Sequence, residues 1–126
     1  MTVLDKIRDT LTALTTDSAI GMCGVKYGAF RVKDTDTWNY FVFNRKRTVK
    51  ATNHLDFETY YQVHIVHEDY IPEGYVETVV AALESQTVKK LRSTADEIRY
   101  DYTFKGGTDM VVEIATITFV HPEKRH

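Results

Sequence analysis

The sequence predicts an α+β fold: a mainly antiparallel sheet of four to five strands with two helices packed on one face. Three observations lead there. Phe57 to Leu83 (FETYYQVHIVHEDYIPEGYVETVVAAL) passes from an alternating aromatic and β-branched stretch, through a polar break, into apolar residues at helical spacing. Arg99 to Val120 holds two extended stretches joined by Lys105-Gly106-Gly107-Thr108-Asp109, the pattern of a hairpin. Val3, Leu4, Ile7, Leu11 and Leu14 form a second helical stripe.

The bulk numbers frame these elements. With 126 residues, 43% of them hydrophobic, residues 1–126 are expected to form a single domain with its own core. Sixteen basic and eighteen acidic residues leave a formal charge of −2, too balanced to announce a nucleic-acid or membrane partner for the whole chain. The single cysteine, Cys23, has no internal disulfide partner and fits a reducing compartment. No apolar run reaches the roughly 18–20 residues of a membrane span, and the start has no secretory h-region. The expectation is a soluble protein made inside a cell.

In chain order, the first helix spans Val3 to Leu14 and ends at Thr15-Thr16-Asp17-Ser18, whose side chains favour turns. Ala19 to Phe30 is apolar but holds Gly21, Gly24 and Gly28, the mark of an irregular or bulged strand. That spacing fits neither a dinucleotide fingerprint nor a P-loop. After a polar turn at 34–37, Trp38 to Phe43 (WNYFVF) reads as a strand with large apolar groups on both faces, hence central or covered on both sides. Asn44 to Asp56 is the most polar stretch and reads as a long exposed loop carrying Arg45, Lys46, Arg47 and Lys50.

Phe57, Tyr61, Val63 and Ile65 then share one face of a core strand, with Tyr60, Gln62, His64 and Val66 on the other. Glu68 to Gly74 is the break, with Pro72 at the helix entrance. Tyr75, Val76, Val79, Val80 and Leu83 make the stripe of the second helix. Ser85 to Ile98 is a polar connector with possible short helical turns. Arg99 to Phe104 alternates cleanly, and Met110 to Val120 is the return strand. There the apolar residues change sides between Ile114 and Ile117, which suggests a bulge. Pro122 is expected to stop it, leaving a frayed end.

No constellation for catalysis emerges. His64 and His67 are three apart on a strand and face opposite ways, so they do not share a metal there. His64 reads as an ordinary hydrogen-bonded residue. Cys23 lacks a CxxC neighbour, and the serines lack a nucleophile elbow. The reading is of a non-enzyme without metal or cofactor.

The order of elements resembles the small tail-terminator or tail-completion proteins of long-tailed bacteriophages, which join the tail tube to the head connector. The parts that carry the resemblance are VLDKIRDTLTAL, WNYFVF with its polar sequel, YYQVHIVHEDYIPEGYVETVVAALE, and RYDYTF–KGG–VVEIATITFV. The resemblance implies a structural virion protein, a subunit of a ring, usually of six copies, that ends tube polymerisation and meets the head-completion protein. It implies assembly in the host cytoplasm and a final place at the tail–head junction. On that reading, candidate subunit or tube and connector contacts are Trp38, Tyr40, Phe41, Phe43, Lys105, Thr108 and Asp109. Arg45, Lys46, Arg47 and Lys50 are candidate channel-facing residues that touch passing DNA through its phosphates. The alternative is a small nucleic-acid-binding module using the basic 45–50 stretch.

Overall fold

The computed structural model describes residues 2–16, 20–29, 37–50, 56–85, 89–94 and 97–124. The turns expected at 17–18 and 34–36, the middle of the polar stretch at 51–55, and the last two residues lie outside the described residues.

The chain enters helix α1 (Val3–Leu14) through a capping box. Thr2 Oγ1 accepts the Asp5 N–H, and the Asp5 carboxylate accepts the Thr2 N–H, both at 3.1 Å. At the other end, the Thr15 and Thr16 hydroxyls donate to the Thr12 and Ala13 carbonyls, satisfying acceptors that the helix leaves open. Strands β1 (Val25–Tyr27), β2 (Tyr40–Lys50) and β3 (Asp56–Glu68) follow, then helix α2 (Tyr75–Glu84). Strands β4 (Arg92–Ser93), β5 (Arg99–Phe104) and β6 (Val111–Lys124) complete the order.

The sheet runs β1-β2-β3-β6, with β4 and β5 sharing the outer edge of β6. β1 pairs with β2 in parallel and every other pair is antiparallel. The α+β class and its two helices stand. The sheet is mainly antiparallel, as expected, with β1–β2 as its parallel pair, and it has six strands rather than four to five. The short β1 lies in the glycine-bearing stretch read as an irregular strand, and the strand beyond the expected number is the two-residue β4, in what reads as a polar connector.

Both helices lie on one face. Ile7 and Leu11 from α1 and Val79 and Leu83 from α2 are fully buried against the sheet. Register aligns Phe41, Ile65 and Ala115 in one row and Phe43, Val63 and Ile117 in the next, so the core face is continuous across β2, β3 and β6. Burying each such side chain contributes about 1.5–3 kcal/mol. Lys6 is buried too: its ammonium donates to the Lys89 carbonyl at 2.9 Å, and burial pushes its pKa down.

Four expectations are corrected. The polar stretch from Asn44 is not one long loop, because β2 runs on to Lys50, paired with β3 from Phe57 to Tyr61. β6 continues through Pro122 to Lys124, opposite Glu58 and Asp56. β4 pairs only as far as Val120, so at Pro122 no described strand lies on the outer side, where a missing N–H is tolerated. β6 holds no bulge: its pairing with β3 is unbroken, and apolar groups simply occupy both faces. Finally, α2 starts at Tyr75 behind Gly74, whose φ of +82° turns the chain, while Pro72 lies upstream and its carbonyl accepts the Tyr75 N–H.

Candidate functional site

The sheet face opposite the helices carries a polar groove of about 530 Å³. Its floor comes from alternation on the two central strands: Gln62 and His64 of β3 beside Thr118 and Thr116 of β6. One wall is β2, which supplies Lys46 and Arg47. The other is β5 with the residues before it, which supply Glu97, Arg99 and Asp101.

A β-bulge builds the first wall. Arg45 pairs with Tyr61 and Arg47 with Tyr60, so Lys46 is the extra residue. In a regular strand, neighbours would face opposite sides. Here Lys46 and Arg47 both line the groove. The Arg47 guanidinium lies 4.5 Å from the centre of the Tyr60 ring, a cation–π contact that orients its planar fork.

The floor is fixed by a side-chain network. His64 Nε2 is 2.8 Å from Asn44 Oδ1, and His64 Nδ1 is 2.9 Å from Thr116 Oγ1. The Asn44 amide nitrogen donates to Gln62 Oε1 and to the Arg45 carbonyl, both at 3.1 Å, which leaves its oxygen facing the imidazole. An amide oxygen only accepts, so neutral His64 carries its proton on Nε2 and accepts a hydrogen bond from the Thr116 hydroxyl at Nδ1. Burial pushes the His64 pKa down, with partial opposition from the Asp101 carboxylate. With both ring nitrogens engaged, His64 is a positioned part of the floor and not a free general base.

Among the described residues, no three His, Cys, Asp or Glu side chains converge as metal ligands. The groove combines a cationic wall, a wall of mixed sign with more acid than base, and a hydrogen-bonding floor between them.

Of the basic residues singled out in the sequence, Lys46 and Arg47 meet in this groove, while Arg45 and Lys50 are exposed elsewhere on the same ribbon. The other candidates scatter. Phe41 and Phe43 are fully buried under the helices and are closed to a partner. Trp38 precedes β2, and its backbone N–H donates to the Glu68 carboxylate. Tyr40 is half-buried, and burial raises its phenol pKa. Lys105 forms an ion pair with Glu68, tying the β5–β6 turn to the end of β3. Thr108 and Asp109 are exposed in that turn, with the Thr108 hydroxyl donating to the Lys105 carbonyl.

Sequence reading missed Glu97, Arg99, Asp101, Gln62, Thr116 and Thr118 as one site. The signal was three separate polar alternations, QVH, RYD and TIT, whose stacking requires the register of β3, β5 and β6. No protein-family model matches this chain, and no curated protein matches it.

Proposed function

We propose that this protein is a structural subunit of a ring that caps a bacteriophage tail tube, ends its growth and joins the tail to the head connector. The observation that carries this reading is the edge strand β5. All six of its residues are exposed, and Tyr100, Tyr102 and Phe104 present large apolar groups on one side, Tyr102 at 63% and Phe104 at 64% exposure. Val111, paired with Phe104, extends the patch, and Met110 beside it is exposed as well. An exposed apolar edge is an aggregation hazard unless another surface covers it. A ring supplies that cover, because each subunit offers two different patches to its two neighbours.

In this reading the covering surface is a second copy of the chain. The exposed turn at Thr108 and Asp109 sits beside the patch and meets the tube or the connector. Arg45 and Lys50, exposed on the β2 ribbon, are the cations left for non-specific contact with passing DNA. The order of elements, helix, aromatic strand, Y-Q-V-x-I strand, helix and closing hairpin, supports the same assignment.

The test is an in vitro tube-capping assay. Purified tail tubes incubated with the protein are expected to acquire capped ends in negative-stain images and to stop elongating. Tubes that elongate unchanged at saturating protein would contradict the proposal.

A further inference from the structure

Among the described residues, the edge strand β5 has one strand partner, β6, on its inner side. The Lys105 N–H donates to the Met110 carbonyl at 2.9 Å, which makes these opposed residues a hydrogen-bonded pair, and ladder bonds alternate from there. The main-chain groups of Thr103, Asp101 and Arg99 therefore turn inward to β6, whereas those of Tyr100, Tyr102 and Phe104 turn outward. Edge strands are ordinarily guarded by lysine, proline, a bulge or a covering element. Arg99–Phe104 (RYDYTF) holds neither lysine nor proline, pairs with β6 without a break, and is exposed at all six residues.

We propose that in the free protein β5 pairs antiparallel with β5 of a second copy, about a two-fold axis through Tyr100. The two Tyr100 residues exchange N–H···O=C bonds, and the two sheets join into one. The inference goes beyond the ring reading and does not rest on it. An isologous pair closes on itself and does not grow. A chain that also enters a ring exchanges this pairing for the different patch of its neighbour.

Two observations set the occupant and the axis. First, Arg99 and Asp101 lie on the opposite side of the strand from Tyr100, and both are exposed. About Tyr100, each Arg99 stands opposite Asp101 of the second copy, twice over, in non-hydrogen-bonded positions where facing side chains come closest. Other axes match less well. One through Arg99 or Asp101 sets like charges face to face, and one through Tyr102 sets Arg99 against Lys105. One through Thr103 sets Asp101 against Lys105, which Glu68 already holds. Second, on the aromatic side the Tyr100 axis sets Tyr102 opposite Ile98 on each flank of the Tyr100 pair. All three side chains expose large apolar surface in the single chain, and the pairing covers them on both copies. The edge is thus complementary to itself in charge, in apolar surface and in main-chain donors and acceptors.

The experiment is size-exclusion chromatography with light scattering on the full chain, without tubes, over a series of protein concentrations. The parent is expected to run at the mass of two copies. Arg99→Asp alone and Asp101→Arg alone each set like charges opposite one another at both flanks, and each is expected to weaken the pairing about tenfold or more. Arg99→Asp with Asp101→Arg in one chain is expected to restore it. So is an equimolar mixture of the two single variants, a rescue that misfolded chains do not give. Arg99 and Asp101 are exposed, so thermal midpoints are expected to stay near that of the parent. A parent that is monomeric at every concentration overturns the proposal, while the ring reading is still judged at tube ends. Free six-copy rings without a two-copy species overturn it too. So does a two-copy species that neither reversal weakens, or one that the double exchange fails to restore, because the two-fold then lies on another surface.

Discussion

His64 shows how one side chain links strands that are far apart in sequence. It lies on β3, accepts from Thr116 on β6, donates to Asn44 on β2 and feels the Asp101 carboxylate on β5. Its folded pKa is depressed by burial, so over the window below the ordinary value of about 6.5 the unfolded chain binds more protons than the folded one. Stability is therefore full above that value and falls as pH drops through the window towards the folded pKa. Urea unfolding at a series of pH values between 8 and 5 checks this, and His64→Gln is expected to flatten the His64 part of the slope. Because Asp101 favours the imidazolium, Asp101→Asn is expected to lower the His64 pKa further, as read from its ring resonances. Glu68 behaves in the same sense at lower pH. Burial raises its pKa, but bonds from Lys105 and the Trp38 N–H outweigh this and hold it below the usual range, so its contribution is lost as pH falls through the folded value. Lys105→Met is expected to raise the Glu68 pKa towards the ordinary range and so to shrink that loss of stability on acidification, as read by the same urea series carried to lower pH.

At the scale of elements, the β2–β3 ribbon separates what periodicity reveals from what it hides. The two helices and the β5–β6 hairpin were legible, because apolar stripes and a Gly-Gly turn are local signals. The outer half of β2, Arg45 to Lys50, was not. A run of charged, exposed residues reads as a loop, yet backbone pairing with β3 and the Arg47–Tyr60 contact keep it extended. Pro122 misled for the converse reason: a strand terminator by composition is harmless where no described neighbour needs its N–H. The bulge gives a direct test. Deleting Lys46 would restore regular pairing between Arg45–Tyr61 and Arg47–Tyr60 while removing one cation from the groove. Stability is expected to change by within about 1 kcal/mol, as read by denaturant midpoint, because Lys46 is exposed. Phe43→Ala, by contrast, empties a fully buried site and is expected to destabilise by about 3–5 kcal/mol.

Across the whole molecule, the two faces of the sheet divide the work. One is closed by α1 and α2 over a continuous apolar layer. The other carries the polar groove, whose components lie apart in sequence between Lys46 and Thr118 and become one site only through the strand order β2-β3-β6-β5. That order was not readable from one chain, which is why the fold class was legible and the groove was not. The outer edge, β5, is the surface on which assembly is proposed to depend. Among the described residues, no helix is long and apolar enough to cross a membrane. Replacing Tyr102 and Phe104 by lysine adds charge to an exposed edge without touching the core, so the variant is expected to fold as the parent does and to lose self-association.

The ring reading is tested most directly by light scattering coupled to size-exclusion chromatography, with negative-stain images of the same fractions. The parent chain and the Tyr102→Lys, Phe104→Lys variant are compared, each with and without purified tail tubes. The account predicts closed rings of the parent, free or at tube ends, with a mass near six copies, and monomers of the variant that leave tubes bare. A parent that stays monomeric and ignores tubes would contradict it.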